Sequence, residues 1–77
     1  MSVLISRDQI IARIREANWS HSSQTPRVEI FKLKNSAQRM NVHLRDFFPE
    51  SQVRVMLKTA GLSKEQIEAF LQAAIKK

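Results

Sequence analysis

The sequence contains no cysteine, and this absence excludes several kinds of protein. A chain of 77 residues without thiols has no disulfide framework, no Cys-rich zinc site and no thiolate nucleophile. Apolar packing alone must therefore stabilise it, with a net stability of roughly 3 to 5 kcal/mol for a single core of this size. A chain without cysteine also fits the cytoplasm, which is the location that we expect.

Long apolar runs and glycine are scarce as well. The run Val3-Leu4-Ile5 is too short for a signal peptide, and no stretch approaches the roughly 18 apolar residues of a membrane span. With Gly61 as its single glycine, the chain has no glycine-rich phosphate loop. We therefore expect a protein that has no membrane partner and that binds no nucleotide through such a loop.

Acidic residues are few relative to basic ones. Thirteen Lys and Arg residues against seven Asp and Glu residues give a net charge of +6 at pH 7. This imbalance favours anionic partners, although charge by itself indicates solubility and non-specific attraction rather than a defined task.

Two similar hexamers mark the starts of helices. The segments 5–10 and 62–67 each contain a serine followed three residues later by glutamine, between flanking aliphatic residues. The side chain of such a serine accepts hydrogen bonds from free backbone N–H groups at the start of a helix, and the glutamine side chain reaches back to the backbone N–H of the serine. The flanking aliphatic residues form a hydrophobic staple. Asn18 and Gly61 are suitable left-handed stops, and Leu62 can contact Leu57 in a Schellman motif. These signals predict helices over 7–17, 49–60 and 64–76.

The middle of the chain is harder to interpret. Thr25-Pro26 is suited to open a helix, and apolar residues follow at alternating spacings of three and four. They are Ile30, Leu33, Ala37, Met40, Leu44 and Phe47. This spacing predicts a helix over 26–47, after a flexible, serine-rich connection over 18–25; a strand over 28–34 is the competing interpretation, since that stretch is β-branched and aromatic.

Together these elements predict one all-α domain over residues 1–77, a compact bundle of about four helices. The last two helices, joined by the Gly61 turn, would form a hairpin with the dimensions of a helix-turn-helix. A plain helical hairpin has the same appearance, and it is the commoner arrangement. The apolar spacing over 26–47 also leaves open a homodimer formed by pairing of that helix with its copy.

The basic residues between positions 27 and 64 are the candidate site. A cationic strip along a helix can follow a phosphate backbone, although long cations beside an apolar seam can equally cover the edge of a core. The predicted nucleic-acid-binding residues are Arg27, Lys32, Lys34, Arg39, Arg45, Arg54 and Lys64. We therefore predict an accessory or regulatory protein that binds nucleic acid, and DNA in particular.

The alternative function is that of a small adaptor or inhibitor that docks on an acidic protein surface. Trp19 and Phe48 are its predicted partner-binding residues, because aromatic residues dominate binding hot spots. A lone tryptophan in a small domain more often closes the end of a core.

Catalytic and metal-binding motifs are weak. His43 has Asp46 three residues on, but the sequence indicates neither a third metal ligand nor an orienting group for a hydrolase. We therefore predict no enzymatic activity, no metal and no cofactor.

Overall fold

The protein combines helices with antiparallel sheets. The structure, a computed structural model, describes residues 3–75, and this part of the chain forms five strands and three helices. In chain order they are β1 (Leu4–Ser6), α1 (Arg7–Glu16), β2 (Trp19–Gln24), β3 (Val28–Leu33), β4 (Arg39–His43), β5 (Phe47–Pro49), α2 (Glu50–Thr59) and α3 (Lys64–Ile75). The prediction of an all-α helical bundle is therefore wrong.

The strands form two separate sheets. Strands β2, β3 and β4 make an antiparallel three-stranded sheet in sequence order, and β1 pairs with β5 in a two-stranded ribbon. A β-bulge in β2 between His21 and Ser23 adds one residue, Ser22, to the ladder with β3. Strand β1 directly precedes α1 and β5 directly precedes α2. The ribbon therefore brings together the chain segments that precede and follow the three-stranded sheet in the sequence.

The core lies on one face of the three-stranded sheet. The register places Trp19, Phe31, Met40 and Val42 on the same face, and all four are buried. They form one cluster with buried residues from the helices and the ribbon. The helical members are Ile10, Ile14, Val53, Leu57, Ile67 and Leu71, and the ribbon contributes Ile5 and Phe48. The other face of the sheet has no residue in this cluster.

The helix-start signals correspond to real caps. The Ser63 N–H donates to Gln66 Oε1 at 2.9 Å, and the Gln66 N–H donates to Ser63 Oγ at 3.2 Å, which is a complete capping box. Ser6 Oγ accepts the Gln9 N–H at 3.3 Å in the same way. Helices α1 and α3 consequently start at the predicted residues.

The predicted helix stops are also present. Asn18 has a φ of 72° and Gly61 a φ of 94°. The Leu62 N–H donates to Leu57 O at 3.1 Å, and the Gly61 N–H to Lys58 O at 3.0 Å, which are the two bonds of a Schellman motif. The helices predicted over 7–17, 49–60 and 64–76 thus agree with α1, α2 and α3 to within a residue, except that residue 76 lies outside the described residues.

The helix predicted over 26–47 is wrong, because an alternating pattern prevails there over the three-four spacing. In β4, Met40 and Val42 are buried while the residues around them are exposed, as expected for a strand with one face on a core. Leu44 and Phe47, which the helix would have buried, are exposed. The homodimer seam that this helix would have provided is therefore absent too, and the competing strand interpretation of 28–34 agrees with β3.

The start of this segment shows why the local signal was ambiguous. Thr25 Oγ1 accepts the Val28 N–H at 3.1 Å, and the Thr25 N–H donates to Val28 O at 2.8 Å, which closes the hairpin between β2 and β3. Threonine followed by proline suits the first two positions of a β-turn as well as those of a helix. The serine-rich connection after Asn18, which we predicted to be flexible, is β2 for most of its length.

No helix within residues 3–75 is both long enough and apolar enough to cross a membrane.

Candidate functional site

The face of the three-stranded sheet that points away from the core is the candidate site, and we call it the open face. The register places eight residues on it: Ser20, Ser23, Val28, Ile30, Lys32, Arg39, Asn41 and His43. Val28 and Ile30 are half-buried and the other six are exposed. This surface is therefore mainly polar, with a small apolar strip along β3.

Two cations lie side by side at one end of the open face. Lys32 of β3 is directly opposite Arg39 of β4. Side chains so placed have Cβ atoms about 4.5 to 5.5 Å apart, and like charges in this position destabilise a sheet. Neither residue takes part in the ion pairs formed among residues 3–75, whose basic members are Arg7, Arg13 and Arg54, or in the contact between His21 and Glu29. The pair is thus available to an anion, which would relieve the repulsion.

Carboxylates lie away from this surface. Asp8, Glu16, Glu50, Glu65 and Glu68 belong to the helices, Asp46 precedes β5, and Glu29 points to the core side of β3. None of the seven acidic residues of the chain is on the open face. The positive charge of Lys32 and Arg39 is therefore not compensated locally.

A polar cleft adjoins the same end of the open face. Its volume is about 430 Å³, and its lining consists of Asn18, Ser20, Lys32, Leu33, Lys34, Asn35 and Ser36. These residues come from four places: the end of α1, the start of β2, the end of β3 and the turn after β3. We call this depression the corner cleft.

The remaining cations predicted to bind nucleic acid are not gathered on this surface. Arg27 is exposed in the turn between β2 and β3, and the Arg45 guanidinium carbon lies 5.7 Å from the centre of the Phe48 ring. Arg54 is paired with Glu50, at 3.0 Å, and with Glu68, so that its charge is already balanced. Lys64 lies at the start of α3, in the helical part of the molecule.

The contacts of Arg54 with Glu50 and Glu68 shift the pKa values of Arg54 and Glu68. Hydrogen bonds to Glu68 and then to Glu50 raise the pKa of Arg54. The hydrogen bond from Arg54 lowers the pKa of Glu68. This network links α2 to α3 on a helical surface and gives no positive face to a phosphate backbone.

Both residues predicted to bind a partner protein are buried. Trp19 is 2 % exposed, and its indole N–H donates to Ala60 O at 2.9 Å; Phe48 is 0 % exposed. Since neither ring reaches the surface of the folded protein, these two residues cannot serve as exposed anchors. The alternative interpretation of Trp19, that it closes the end of the core, agrees with its position.

An ionic cluster that the sequence did not reveal lies at the other end of the sheet. Glu29 accepts a hydrogen bond from Arg7 at the start of α1, and its other oxygen lies 2.6 Å from His21 Nδ1. The Arg7 guanidinium also donates to His43 O at 3.1 Å. Partial burial raises the pKa of Glu29, but the hydrogen bonds from Arg7 and His21 and their charges outweigh it, so that this pKa lies below its usual value. The cluster ties α1 to β2, β3 and β4.

Metal-binding clusters are absent from the part of the chain that the structure describes, since no three His, Cys, Asp or Glu side chains converge there.

Comparison with known proteins found no family model, no curated protein and no solved structure that matches this chain. The arguments about function therefore depend on the open face and its surroundings.

Proposed function

We propose that this protein binds nucleic acid through the open face of its three-stranded sheet. The observation that carries the proposal is the uncompensated pair Lys32 and Arg39, with Lys34 beside it, on a surface that contains no carboxylate. Phosphate contacts made by lysine and arginine supply most of the affinity in non-specific nucleic-acid binding.

The composition of the open face favours contacts to the backbone rather than to bases. Single-strand binders usually present aromatic rings on which bases stack, and the open face consists of hydroxyl, amide, aliphatic and cationic side chains with one histidine. We therefore propose a duplex as the preferred form. DNA remains the nucleic acid that we expect, and an RNA duplex is the direct comparison.

The helix-turn-helix-like pair α2 and α3 is the weaker candidate surface. Its exposed early positions include Lys64 and Glu65, and the Glu68 carboxylate nearby is held by Arg54. Carboxylates that face a phosphate-lined groove oppose binding. We therefore centre the proposed interface on the sheet and leave Arg54 and Lys64 out of it.

The test is the affinity for labelled duplexes at about 50 and about 200 mM salt, measured by fluorescence anisotropy. For the variant Lys32→Ala/Arg39→Ala we expect an affinity at least roughly tenfold lower at the lower salt concentration. Two lost phosphate contacts should also reduce the slope of log K against log salt by about 2.

The matched control is Lys58→Ala/Lys64→Ala, which removes the same net charge from exposed residues of α2 and α3. It should bind almost as the unchanged protein does. Equal losses in both double variants would mean that net charge, and not the open face, determines binding, and would contradict the proposal.

A protein partner with an acidic surface is the second candidate. The net charge of +6 favours an acidic surface, and Leu4 and Phe47, which are 59 % and 54 % exposed on the outer side of the β1–β5 ribbon, offer it apolar contacts. If duplexes do not bind, this candidate predicts a stoichiometric acidic partner whose binding is lost in Phe47→Asp and kept in Val55→Asp, a change at an exposed apolar residue of α2. Failure to recover such a partner from nuclease-treated extract would count against it.

A cytoplasmic location for this binding is also a proposal. Fluorescence microscopy of the tagged protein tests it, and a signal confined to another compartment would contradict it.

A further inference from the structure

We propose that the corner cleft binds the terminal phosphate monoester of a nucleic-acid strand. This inference rests on the proposed function, because it identifies one particular group of the same ligand. It follows from the shape of the cleft, from its charge and from the way in which its two walls are joined.

The two walls of the cleft are turns with left-handed residues. Asn18, with a φ of 72°, ends α1, and Asn35, with a φ of 60°, lies in the turn between β3 and β4. The Lys34 N–H donates to Asn18 O at 2.9 Å, so that one turn is hydrogen-bonded to the other. The second turn is closed by the Ser36 N–H, which donates to Leu33 O at 3.2 Å. A cleft fixed in this way needs little ordering when a ligand enters.

The residues that line the cleft carry hydrogen-bond donors in their side chains and no carboxylate. The ammonium groups of Lys32 and Lys34 supply two positive charges, and the amide groups of Asn18 and Asn35 and the hydroxyl of Ser20 add uncharged donors. All five residues are exposed. The lining includes no Asp and no Glu. This chemistry favours an oxyanion.

The charge of the two lysines favours a phosphate at the end of a nucleic-acid strand over one in its interior. A phosphate monoester carries about −1.5 to −2 at pH 7, whereas each internal phosphodiester carries a single negative charge. Two lysines without a neighbouring carboxylate match the monoester better. The volume of about 430 Å³ is also within the roughly 300 to 1,000 Å³ of ligand sites, large enough for more than a bare phosphate.

The position of the cleft agrees with this assignment. It lies at the corner of the sheet, next to Lys32, which belongs both to the cleft and to the open face. A strand whose terminal phosphate enters the cleft can therefore continue past Lys32 towards Arg39. The open face then binds the following phosphates, and the cleft determines where the strand begins.

The experiment compares oligonucleotide duplexes that carry a terminal phosphate with the same duplexes that end in hydroxyl groups. For the unchanged protein at about 50 mM salt we expect a preference of about fivefold for the phosphorylated form. Separate 5′-phosphorylated and 3′-phosphorylated duplexes identify which end enters the cleft.

Two single variants separate the cleft from the open face. Lys34→Gln removes a charge that lines the cleft and should bring the preference close to one. Arg39→Gln removes a charge from the open face outside the cleft lining; it should weaken binding of both duplexes and leave their ratio unchanged. Both side chains are exposed, so neither change disturbs the core.

The outcomes distinguish this inference from the proposed function. Equal affinity of the unchanged protein for both duplexes would overturn the assignment of the cleft and leave the proposed function standing. Binding of neither duplex would overturn both.

A spectroscopic measurement locates the site directly. In a titration followed by ¹H–¹⁵N correlation spectra, adenosine monophosphate should shift the amide signals of Ser20, Lys34 and Asn35, and adenosine should not. If adenosine monophosphate leaves these three signals in place, the cleft does not bind a phosphate monoester.

Discussion

At the scale of single residues, the contacts of Glu29 have the clearest consequences. One carboxylate receives hydrogen bonds from Arg7 and His21, which belong to two other elements of the fold. Since the carboxylate is ionised when it accepts both, His21 donates through the proton on Nδ1, and its Nε2 is left for other partners. The pKa of Glu29 lies below its usual value, which means that folding stabilises the ionised form.

This lowered pKa predicts a loss of stability in acid. The contribution of Glu29 is fully present above the usual carboxyl pKa of about 4.3, and it disappears as the pH falls through the lower pKa of the folded state. Glu29→Gln should therefore destabilise the protein by roughly 1 kcal/mol at pH 7 and make its stability less dependent on pH below about 4. Urea unfolding at several pH values between 3 and 7 measures both effects.

Glu16→Gln is the matched control, because Glu16 is an exposed carboxylate 3.5 Å from Arg13 on the surface of α1. It should change neither the stability at pH 7 nor the acid dependence by a measurable amount. A flattened acid dependence in both variants would show that the effect belongs to total charge rather than to the Glu29 cluster.

At the scale of secondary-structure elements, the helices and the strands differ in what specifies them. Each helix end is determined by residues within six positions of one another, as in the capping box Ser63–Gln66 and the Schellman bonds at Gly61. Strand β2 has five exposed residues and one buried residue, Trp19, and it is held by its pairing with β3. Its serine-rich sequence has little strand preference of its own.

Gly61 provides a test at this scale. Its φ of 94° is unfavourable for residues with a Cβ, but a Cβ added there would meet no atom within 4 Å. Gly61→Ala should therefore lower the free energy of unfolding by about 1 to 2 kcal/mol, the cost of holding a residue with a Cβ at a positive φ, with no added steric repulsion from neighbouring atoms. Thermal unfolding followed by circular dichroism measures the change.

Gly61→Asn is the companion variant, since asparagine tolerates the left-handed region better than alanine does. Its loss should be smaller than that of Gly61→Ala. If the two substitutions cost the same, or if neither has a cost, the left-handed conformation does not limit the stability of this turn.

At the scale of the whole molecule, charge and apolar surface are divided between two sides. The helices and the ribbon cover one face of the sheet and contain most of the carboxylates, whereas the open face keeps its cations unpaired. Trp19 connects these sides, because it starts β2 and its indole N–H donates to Ala60 O at the end of α2. A protein that covers only one face of its sheet leaves the other face available for a ligand.

Trp19→Phe tests the connection between the sheet and α2. It should destabilise the protein by roughly 2 to 3 kcal/mol, because a cavity forms and the Ala60 carbonyl loses its partner in a buried region. Urea unfolding followed by far-ultraviolet circular dichroism checks this value. Val55→Ala, a change at a residue 65 % exposed on α2, should have almost no effect, and a similar loss there would contradict the argument.

The sequence predicted the candidate site in part. The sequence predicts Lys32, Lys34 and Arg39 as cations along a helix. Instead, the pairing of β3 with β4 places Lys32 opposite Arg39, and Lys34 follows β3 and lines the corner cleft together with Lys32. Arg54 was included in the same set, but its pairing with Glu68 depends on how α3 packs against α2. Trp19 and Phe48 appeared suitable for a partner because the sequence does not show which aromatic residues the core will enclose.

The sequence alone determined the ends of the three helices and the excess of positive charge. Capping groups and left-handed stops involve only residues that are close in the chain, and the net charge follows from composition alone. No tertiary contact is therefore needed to recognise them. Only the tertiary structure decided that residues 19–43 form a sheet and that one face of it stays open. Strand pairing joins residues far apart in the chain, such as Val28 and His43, and the alternation that buries Met40 and Val42 acquires its meaning only when a core covers one side.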